Sequence, residues 1–451
     1  MFTDIPEEIK EYTSIFKFAD DGTVMIAYEN IAGCHRLMQL ACNFLAEWCI
    51  KNQLVINCNP NKTEAMILRT KATSAESLPT ELVINGKTIR YVHSSKVLGV
   101  VIDEHLNFKK HAQKKLNECK QKWGLITKNT NRNHGLNVNS LTLLLKTMVL
   151  SKLLYASPIW FHKCTDTYKS FWNKVMMKLT GAVYNPQREL VELALHLPPL
   201  AVQSDVITTK FLCKLLTQND QLTATLLQLE YTPHSSHNRA IKQLKEFVAW
   251  KLDNSTKGYR QIELTSAPVQ AAAVYKQKDM LVYQQMIWLN HVEKQLELKK
   301  MDHEKEDQLR SMMQKITDTG IILDHKNSIF RFNTPKHTDS RLLDYIHGSS
   351  PLFWPIRAKI DPHSGEGTEC SFCRWTEDSP YHQLLECPEI QDTSHSQLKT
   401  WLPEGDDQPL IEEILTPQKD KLGIQEAFIS RVEFLIGQHA SLTEYNEECE
   451  P

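Results

Sequence analysis

The segment that most constrains the fold lies between residues 12 and 28. Ile15, Phe16 and Phe18 form an apolar run with the character of a strand, and Val24, Met25, Ile26, Ala27 and Tyr28 form another. Asp20, Asp21, Gly22 and Thr23 separate them. That spacing predicts a short hairpin with two adjacent carboxylates at its tip. Such a tip is ordinary Asp-rich turn chemistry. It is also a source of hard oxygen ligands for a divalent cation such as Mg²⁺. Phe18-Ala19-Asp20-Asp21 alone does not decide between the two.

A chain of 451 residues with 41% apolar residues has room for several domains with real cores. Leu37, Leu40, Ala41, Phe44, Leu45 and Trp48 recur at spacings of three and four. They predict an amphipathic helix from about residue 30 to 51, lying under the sheet that carries the hairpin. Strand-like runs follow at Leu54–Ile56 and Ala65–Leu68, joined by a polar turn that contains Asn57, Asn61, Lys62 and Thr63. Lys71 to Pro79 is linker-like. Asn85-Gly86, between two apolar runs, predicts a type I′ hairpin. Lys96 to Asp103 predicts one further strand, with Gly99 inside it. From Phe108 onward the pattern is helical, with Leu141, Leu144, Leu145 and Met148 on one face and a bend at Ser157-Pro158. Breaks follow near Asn185-Pro186 and Leu197–Pro199, and Thr232–His237 forms a loop. A charged helical stretch from about 271 to 316 is either a solvated face or an extended connector.

The net charge of −2 conceals a strong asymmetry. Between Lys109 and Arg188 there are fifteen Lys or Arg against Glu118 and Asp166, whereas residues 402–451 hold twelve acids against three bases. The basic block, which starts with Lys109, Lys110, Lys114, Lys115, Lys120 and Lys122, is either a solvated lysine face or a contact surface for nucleic acid. Phe108, Trp123, Phe161 and Trp172, interleaved with the lysines, favour nucleic acid by offering rings for bases to stack on. No membrane contact is expected, since the most apolar run, Leu141–Trp160, is interrupted by Lys146 and Lys152. The first residues lack the basic and apolar regions of a secretory signal, and the cysteines number eleven. Both point to a reduced intracellular compartment, nucleus or cytoplasm.

The order of these motifs resembles the reverse transcriptases of non-LTR retrotransposons, jockey-like elements in particular. Phe18-Ala19-Asp20-Asp21 is similar to the family's aromatic-Ala-Asp-Asp box. Leu54–Asn57 with Asn61-Lys62-Thr63 is similar to the next box, Val97–Val100 with Asp103 to the primer-grip strand, and Leu153–Trp160 to a thumb helix. The resemblance covers about residues 1–200. It implies an α+β, mostly helical chain: a partial polymerase palm over 1–107, a basic helical thumb over 108–230 and a helical connector over 231–345. A zinc module over 346–400 and an acidic tail over 401–451 complete the expected organisation. It further implies that Asp20 and Asp21 serve Mg²⁺, and that Lys62 lies near the phosphates of the incoming nucleotide, though Lys62 is otherwise a surface lysine in a turn. Gly99 would then allow the primer close approach, unless it is a simple strand irregularity. RNA template and DNA primer are the implied partners. The family's first carboxylate strand and fingers do not fit in Met1–Lys17. Catalysis by this chain alone is therefore not expected unless another chain supplies the missing half. The alternative is a non-catalytic nucleic-acid-binding protein.

A second constellation stands apart from the first. Cys370, Cys373, His382 and Cys387 follow the pattern C-x₂-C-x₈-H-x₄-C. Three thiolates and one imidazole suit a closed, structural, tetrahedral Zn²⁺ site. The plainer reading is three reduced cysteines and a loop histidine. His363 lies outside the compact pattern. Next to Cys373, the side chains of Arg374 and Trp375 suit nucleic acid, whereas Glu366, Glu369, Glu377 and Asp378 argue against a strong phosphate grip.

Overall fold

The computed structural model describes residues 11–19, 21–60, 62–70, 79–181, 188–218, 247, 277–298, 303–319, 323, 328–332, 334–347, 368–376, 378–402, 410–415 and 423–448. The chain divides into two compact units, Met1–Ala112 and Gln113–Pro451. Among the described residues it is mostly helical, with three two-stranded antiparallel sheets.

In the first unit, β1 (Thr13–Phe18) pairs with β2 (Asp21–Ile26) in a register that sets Phe18 opposite Asp21. Ala19 takes a left-handed φ of 53° at the bend. Helix α1 (Ile31–Lys51) matches the predicted span. It starts where Asn30 Oδ1 accepts the Gly33 N–H at 2.7 Å, a side-chain cap for an otherwise orphaned donor. Its buried line runs through Leu37, Ala41, Cys42 and Ala46, rotated from the predicted stripe so that Leu40 faces solvent. Leu37 and Ala41 pack on Val24 and Ile26 of the first hairpin. Cys42 and Ala46 pack on Leu82, Ile84 and Ile89 of the second. That second hairpin joins β3 (Glu81–Ile84) to β4 (Lys87–Arg90) through Asn85 and Gly86, with φ of 49° and 70°, as the sequence predicts.

Three expectations are corrected here. Leu54–Ile56 is not a strand, and Val55 is 94% exposed. Ala65–Leu68 makes only an isolated bridge, from Ala65 to Tyr91. Lys96–Asp103 is not one strand but a third hairpin, β5 (Ser94–Val97) and β6 (Val100–Asp103), turned by Leu98 and Gly99 at φ of 45° and 85°. Two consecutive positive φ values define a type I′ turn, so Gly99 serves the turn geometry.

Asp103 ties the end of this hairpin to the start of the next helix. Its carboxylate accepts backbone N–H groups from His105 and Asn107 at 3.1 and 3.2 Å and from Phe108 at 2.7 Å. Burial acts to raise the Asp103 carboxyl, but these N–H groups outweigh it and hold it below the ordinary carboxylate value. Helix α2 (Lys109–Thr127) begins directly after, and the division between the units falls within it. His111 in its first turn is buried and accepts the Val101 N–H at 3.1 Å.

The second unit is helical. Helix α3 (Val138–Leu144) runs through a wide turn over Leu145–Leu150 into α4 (Ser151–Leu153). Helix α5 (Ser157–Trp160) restarts with Pro158 in its first turn, where Pro needs no partner for a missing N–H. The chain thus bends at the predicted place. No single described helix is long and apolar enough to cross a membrane, although the bent pair Val138–Leu153 and Ser157–Lys163 has the length and composition together. Much of that pair is interior: Leu141, Leu145, Val149, Leu153 and Trp160 are all fully buried. Helices α6 (Asp166–Thr180), α7 (Arg188–Ala194) and α8 (Leu200–Gln218) follow. The charged stretch expected at 271–316 forms two helices, α9 (Gln277–Leu298) and α10 (His303–Thr319). The Thr232–His237 loop lies outside the described residues.

Helix α11 (Lys336–His347) anchors this region through buried polar groups. Asp339 Oδ2 accepts the Val138 N–H at 2.7 Å at the start of α3, and Lys336 Nζ donates to the Leu179 carbonyl at the end of α6. Burial lowers Lys336 to about 8 and raises Asp339 to about 6. The acidic segment after residue 401 is not a bare tail where it is described. Beyond α12 (Thr393–Lys399) it forms α13 (Leu410–Leu415) and α14 (Gly423–Glu448). Ile414, Ile424, Phe428, Val432 and Leu435 are wholly buried, because the acids occupy other faces of the helices.

The third hairpin yields two stability predictions. Leu98 is 48% exposed and strained at positive φ, so Leu98→Asn is expected to raise the urea midpoint by the equivalent of about 0.5–1 kcal/mol. Asp103→Ala is expected to cost about 1–2 kcal/mol at pH 7. The folded Asp103 value lies below the unfolded one. Its contribution is therefore present above the ordinary carboxylate value of about 3.9 and lost as pH falls through the folded value. Parent and variant midpoints should converge in acid; a constant gap from pH 7 to acid would overturn the assignment.

Candidate metal centre and nucleic-acid surface

The sequence placed four groups of residues at functional sites, and they fare differently. Asp20 lies outside the described residues. Asp21 is exposed at the start of β2. Lys62 sits exposed in a closed turn, where its N–H bonds the Asn59 carbonyl at 3.0 Å and Thr63 Oγ1 donates to the Asn57 carbonyl at 2.9 Å. Among the described residues no hydrogen bond or ion pair joins Lys62 to Asp21, and Asp21 belongs to no cluster of three or more metal-ligating side chains.

The basic block divides along α2. Lys109, Lys110, Lys114 and Lys120 are exposed and fall on one face with Gln113, Asn117 and Gln121, a face without an acid. None of the four forms an ion pair among the described residues. Lys115 is drawn aside: its Nζ is 3.9 Å from Glu118 and 5.8 Å from the centre of the Tyr155 ring. Lys122 is half-buried. Glu118 is also held by Lys152 at 3.1 Å, and that hydrogen bond with Lys115 beside it keeps its carboxyl below the usual range. The aromatic part of the expectation is wrong. Phe108, Trp123, Phe161 and Trp172 are all buried. Phe161 stacks on Tyr168 with ring centres 5.5 Å apart, and Trp172 Nε1 donates to Glu192 at 2.7 Å. These rings are core, and no base can reach them. What α2 offers a polyanion is charge and amide hydrogen bonds.

The Cys/His constellation is brought together. Cys370, Cys373, His382 and Cys387 are all buried, and one ligating atom from each lies within 4.8 Å of the others. Cys370 Sγ and Cys387 Sγ are 3.9 Å apart, and Cys373 Sγ is 3.3 Å from His382 Nε2. Two sulfurs on one tetrahedral Zn²⁺ at a Zn–S distance of about 2.3 Å stand roughly 3.8 Å apart, so the cluster has the dimensions of the ion. Local backbone builds it. The Cys370 N–H bonds the Thr376 carbonyl at 2.7 Å, the Arg374 N–H bonds the Cys370 carbonyl at 3.0 Å, and Arg374 takes a φ of 59°. This tight turn aims both thiols inward. His382 opens a wide helical turn, His382–Glu386, closed by the Cys387 N–H on the His382 carbonyl at 2.8 Å. Thr376 Oγ1 lies 3.1 Å from His382 Nδ1 and 3.2 Å from Nε2, beside the Nε2 contact with Cys373.

The electrostatics favour a cation. Burial pushes the Cys370 thiol up to about 12 and raises Cys387 as well. Burial also acts to raise Cys373, but hydrogen bonds from the Trp375 backbone and His382 bring it down to about 7. Three thiols this close cannot all ionise unaided, and a divalent ion supplies the compensating charge. The residues fit Zn²⁺, and with four ligands no position is left open for a reacting group. Beside the centre Arg374 and Trp375 face solvent, Trp375 being 79% exposed. Asp378 turns inward and accepts from Gln383 Nε2 at 2.6 Å.

Sequence reasoning missed a polar layer behind the ligands. Arg431 is wholly buried and bonds the carbonyls of Gln383, Leu384 and Ile390 and the Asp392 carboxylate. Gln383 Oε1 accepts from Tyr345 Oη at 2.8 Å and lies 3.1 Å from His439 Nε2. One signal was available: Ile424, Phe428, Arg431 and Leu435 keep the spacing of an apolar stripe, with an arginine inside it. The metal assignment predicts that Co²⁺ gives intense thiolate-to-metal absorption, and that Cys387→Ser weakens it. Stripping metal with a chelator should lower the melting temperature of the second unit by several degrees. Equal melting with and without Zn²⁺ would contradict a structural ion.

No family model matches the chain, and no solved structure matches it. The Retrovirus-related Pol polyprotein from type-1 retrotransposable element R1 of Bradysia coprophila is 23% identical over 156 residues, which is 35% of this chain and 15% of that polyprotein. The chain is thus distantly and partially similar to a non-LTR retrotransposon Pol polyprotein.

Proposed function

We propose that the chain is the C-terminal portion of an RNA-directed DNA polymerase from a non-LTR retrotransposon, working in target-primed reverse transcription. The observation that carries this reading is the similarity to the R1 Pol polyprotein. In this reading the β1–β2 hairpin is part of the palm and presents Asp20 and Asp21 to Mg²⁺, and Lys62 neutralises charge on the phosphates of the incoming nucleotide. Gly99 belongs to the primer grip as its turn residue. The lysine face of α2 holds the backbone of a template–primer duplex, and Zn²⁺ at Cys370, Cys373, His382 and Cys387 is structural. A two-metal site takes more carboxylates than one hairpin provides. The chain therefore works with a polymerase half supplied by another part of a polyprotein or by another chain.

A second reading is a non-catalytic nucleic-acid-binding protein. It is favoured by the isolation of Asp21 from any ligand cluster among the described residues. Primer extension on poly(rA)/oligo(dT) with Mg²⁺ separates the two when the chain is compared with its Asp20→Ala/Asp21→Ala variant, first alone and then with the upstream polymerase half of a related Pol polyprotein added. Incorporation abolished in the variant supports the polymerase reading with a site that closes unaided. No incorporation by either alone, with template bound, is expected under both readings; no incorporation once that half is added supports the second.

The lysine face predicts a salt-dependent affinity under both readings. Replacing Lys110, Lys114 and Lys120 by Gln is expected to flatten the slope of log affinity against log salt by about 0.9 for each duplex DNA phosphate that the variant no longer neutralises. An unchanged slope would remove this face from the interface.

A further inference from the structure

We infer that Arg431 is the positioning residue of the metal centre, and that metal binding and docking of the Gly423–Glu448 helix are a single equilibrium. The inference rests on the reading of Cys370, Cys373, His382 and Cys387 as a Zn²⁺ site.

The geometry around the guanidinium carries it. Arg431 Nη2 donates to the Gln383 carbonyl at 2.9 Å and Nε to the Leu384 carbonyl at 3.1 Å. Both carbonyls belong to the turn that carries His382. Nη1 donates to the Ile390 carbonyl at 2.7 Å and to Asp392 Oδ1 at 2.9 Å. Both of these lie just beyond Cys387. One planar cation thus ties together the two segments that flank Cys387, and so sets that sulfur relative to the His382 imidazole. A guanidinium has five N–H donors in a rigid fork, and an ammonium cannot hold four acceptors at these angles.

Two further contacts close the arrangement. Asp392 also accepts the His395 N–H at 3.0 Å at the start of α12, and His395 Nε2 lies 2.7 Å from the Leu385 carbonyl in the same His382 turn. On the helix that bears Arg431, the His439 ring lies 4.6 Å from the ring of Phe372, which sits between Cys370 and Cys373. The helix therefore touches both halves of the ligand set. If the ligand turn opens, a buried guanidinium is left without its acceptors, which is strongly unfavourable, and the helix must leave with it. By linkage, whatever the docked helix adds to metal affinity the metal returns to the docking of the helix.

The test uses the full chain. Hydrogen exchange is compared between chelator-stripped and Zn²⁺-loaded wild type, and Co²⁺ is titrated into wild type and Arg431→Lys. Loading is expected to slow exchange about tenfold or more in peptides covering residues 424–441. Arg431→Lys is expected to bind Co²⁺ about 10–100-fold more weakly while keeping the thiolate absorption. If wild type takes up no Co²⁺, the metal reading falls and this inference with it. If wild type binds Co²⁺ but helix exchange ignores the metal and Arg431→Lys binds equally well, the inference alone falls. The exchange experiment needs no variant, so it decides the matter even where Arg431→Lys does not fold.

Discussion

A two-stranded hairpin leaves each strand one open edge and leaves the pair one bare face. It does not bury enough to stand alone in water. Every sheet in the first unit is of this kind, and the first two hairpins gain their burial against α1. One line of small and medium side chains, Leu37 and Ala41 followed by Cys42 and Ala46, serves two hairpins in turn. Small residues let the helix lie close to both. The opposite face of β1–β2 gains nothing from this packing, and Phe16, Phe18 and Met25 remain exposed there. Asp21 is thus displayed on a hairpin that is anchored from one side only.

The second unit solves a different problem. Several of its helices are short or broken, α3, α4, α5 and α7 among them, and each break leaves backbone groups without intrahelical partners. Side chains far away in sequence satisfy them: Lys336 at the end of α6, Asp339 at the start of α3, Ser328 on the Ala194 carbonyl at 2.8 Å, and Arg431 on the metal-site turns. Because these polar groups are buried, each is costly to leave unpaired, and the set specifies how the pieces meet.

What could be read in advance tracks how local the cause is. Asn85-Gly86 announced its turn because both residues tolerate positive φ, and α1 announced itself by its period. The Leu98-Gly99 turn did not, since a leucine at φ of 45° contradicts its own preference and is tolerated only because the flanking strands pair. The Cys/His cluster was legible from spacing, whereas Arg431 is 44 residues beyond Cys387 and acts through backbone carbonyls, which carry no sequence signature. Phe108, Trp123, Phe161 and Trp172 misled because an aromatic among lysines is read from composition, while helical phase decides which way it points. The acidic count after residue 401 misled in the same way.

The helix α1 does one thing more than supply a buried face. The Gln39 amide donates to the Val83 carbonyl at 2.7 Å and accepts the Val83 N–H at 2.9 Å. Both Val83 groups point away from β4, along the outer edge of β3. A primary amide so placed imitates the backbone of a third strand at one residue and stops there. The edge is thereby occupied without being extended, and the template that would recruit a strand from another molecule is interrupted at its middle. A glutamine on a helix thus keeps a minimal sheet from growing, a protection against self-association that comes from outside the sheet itself.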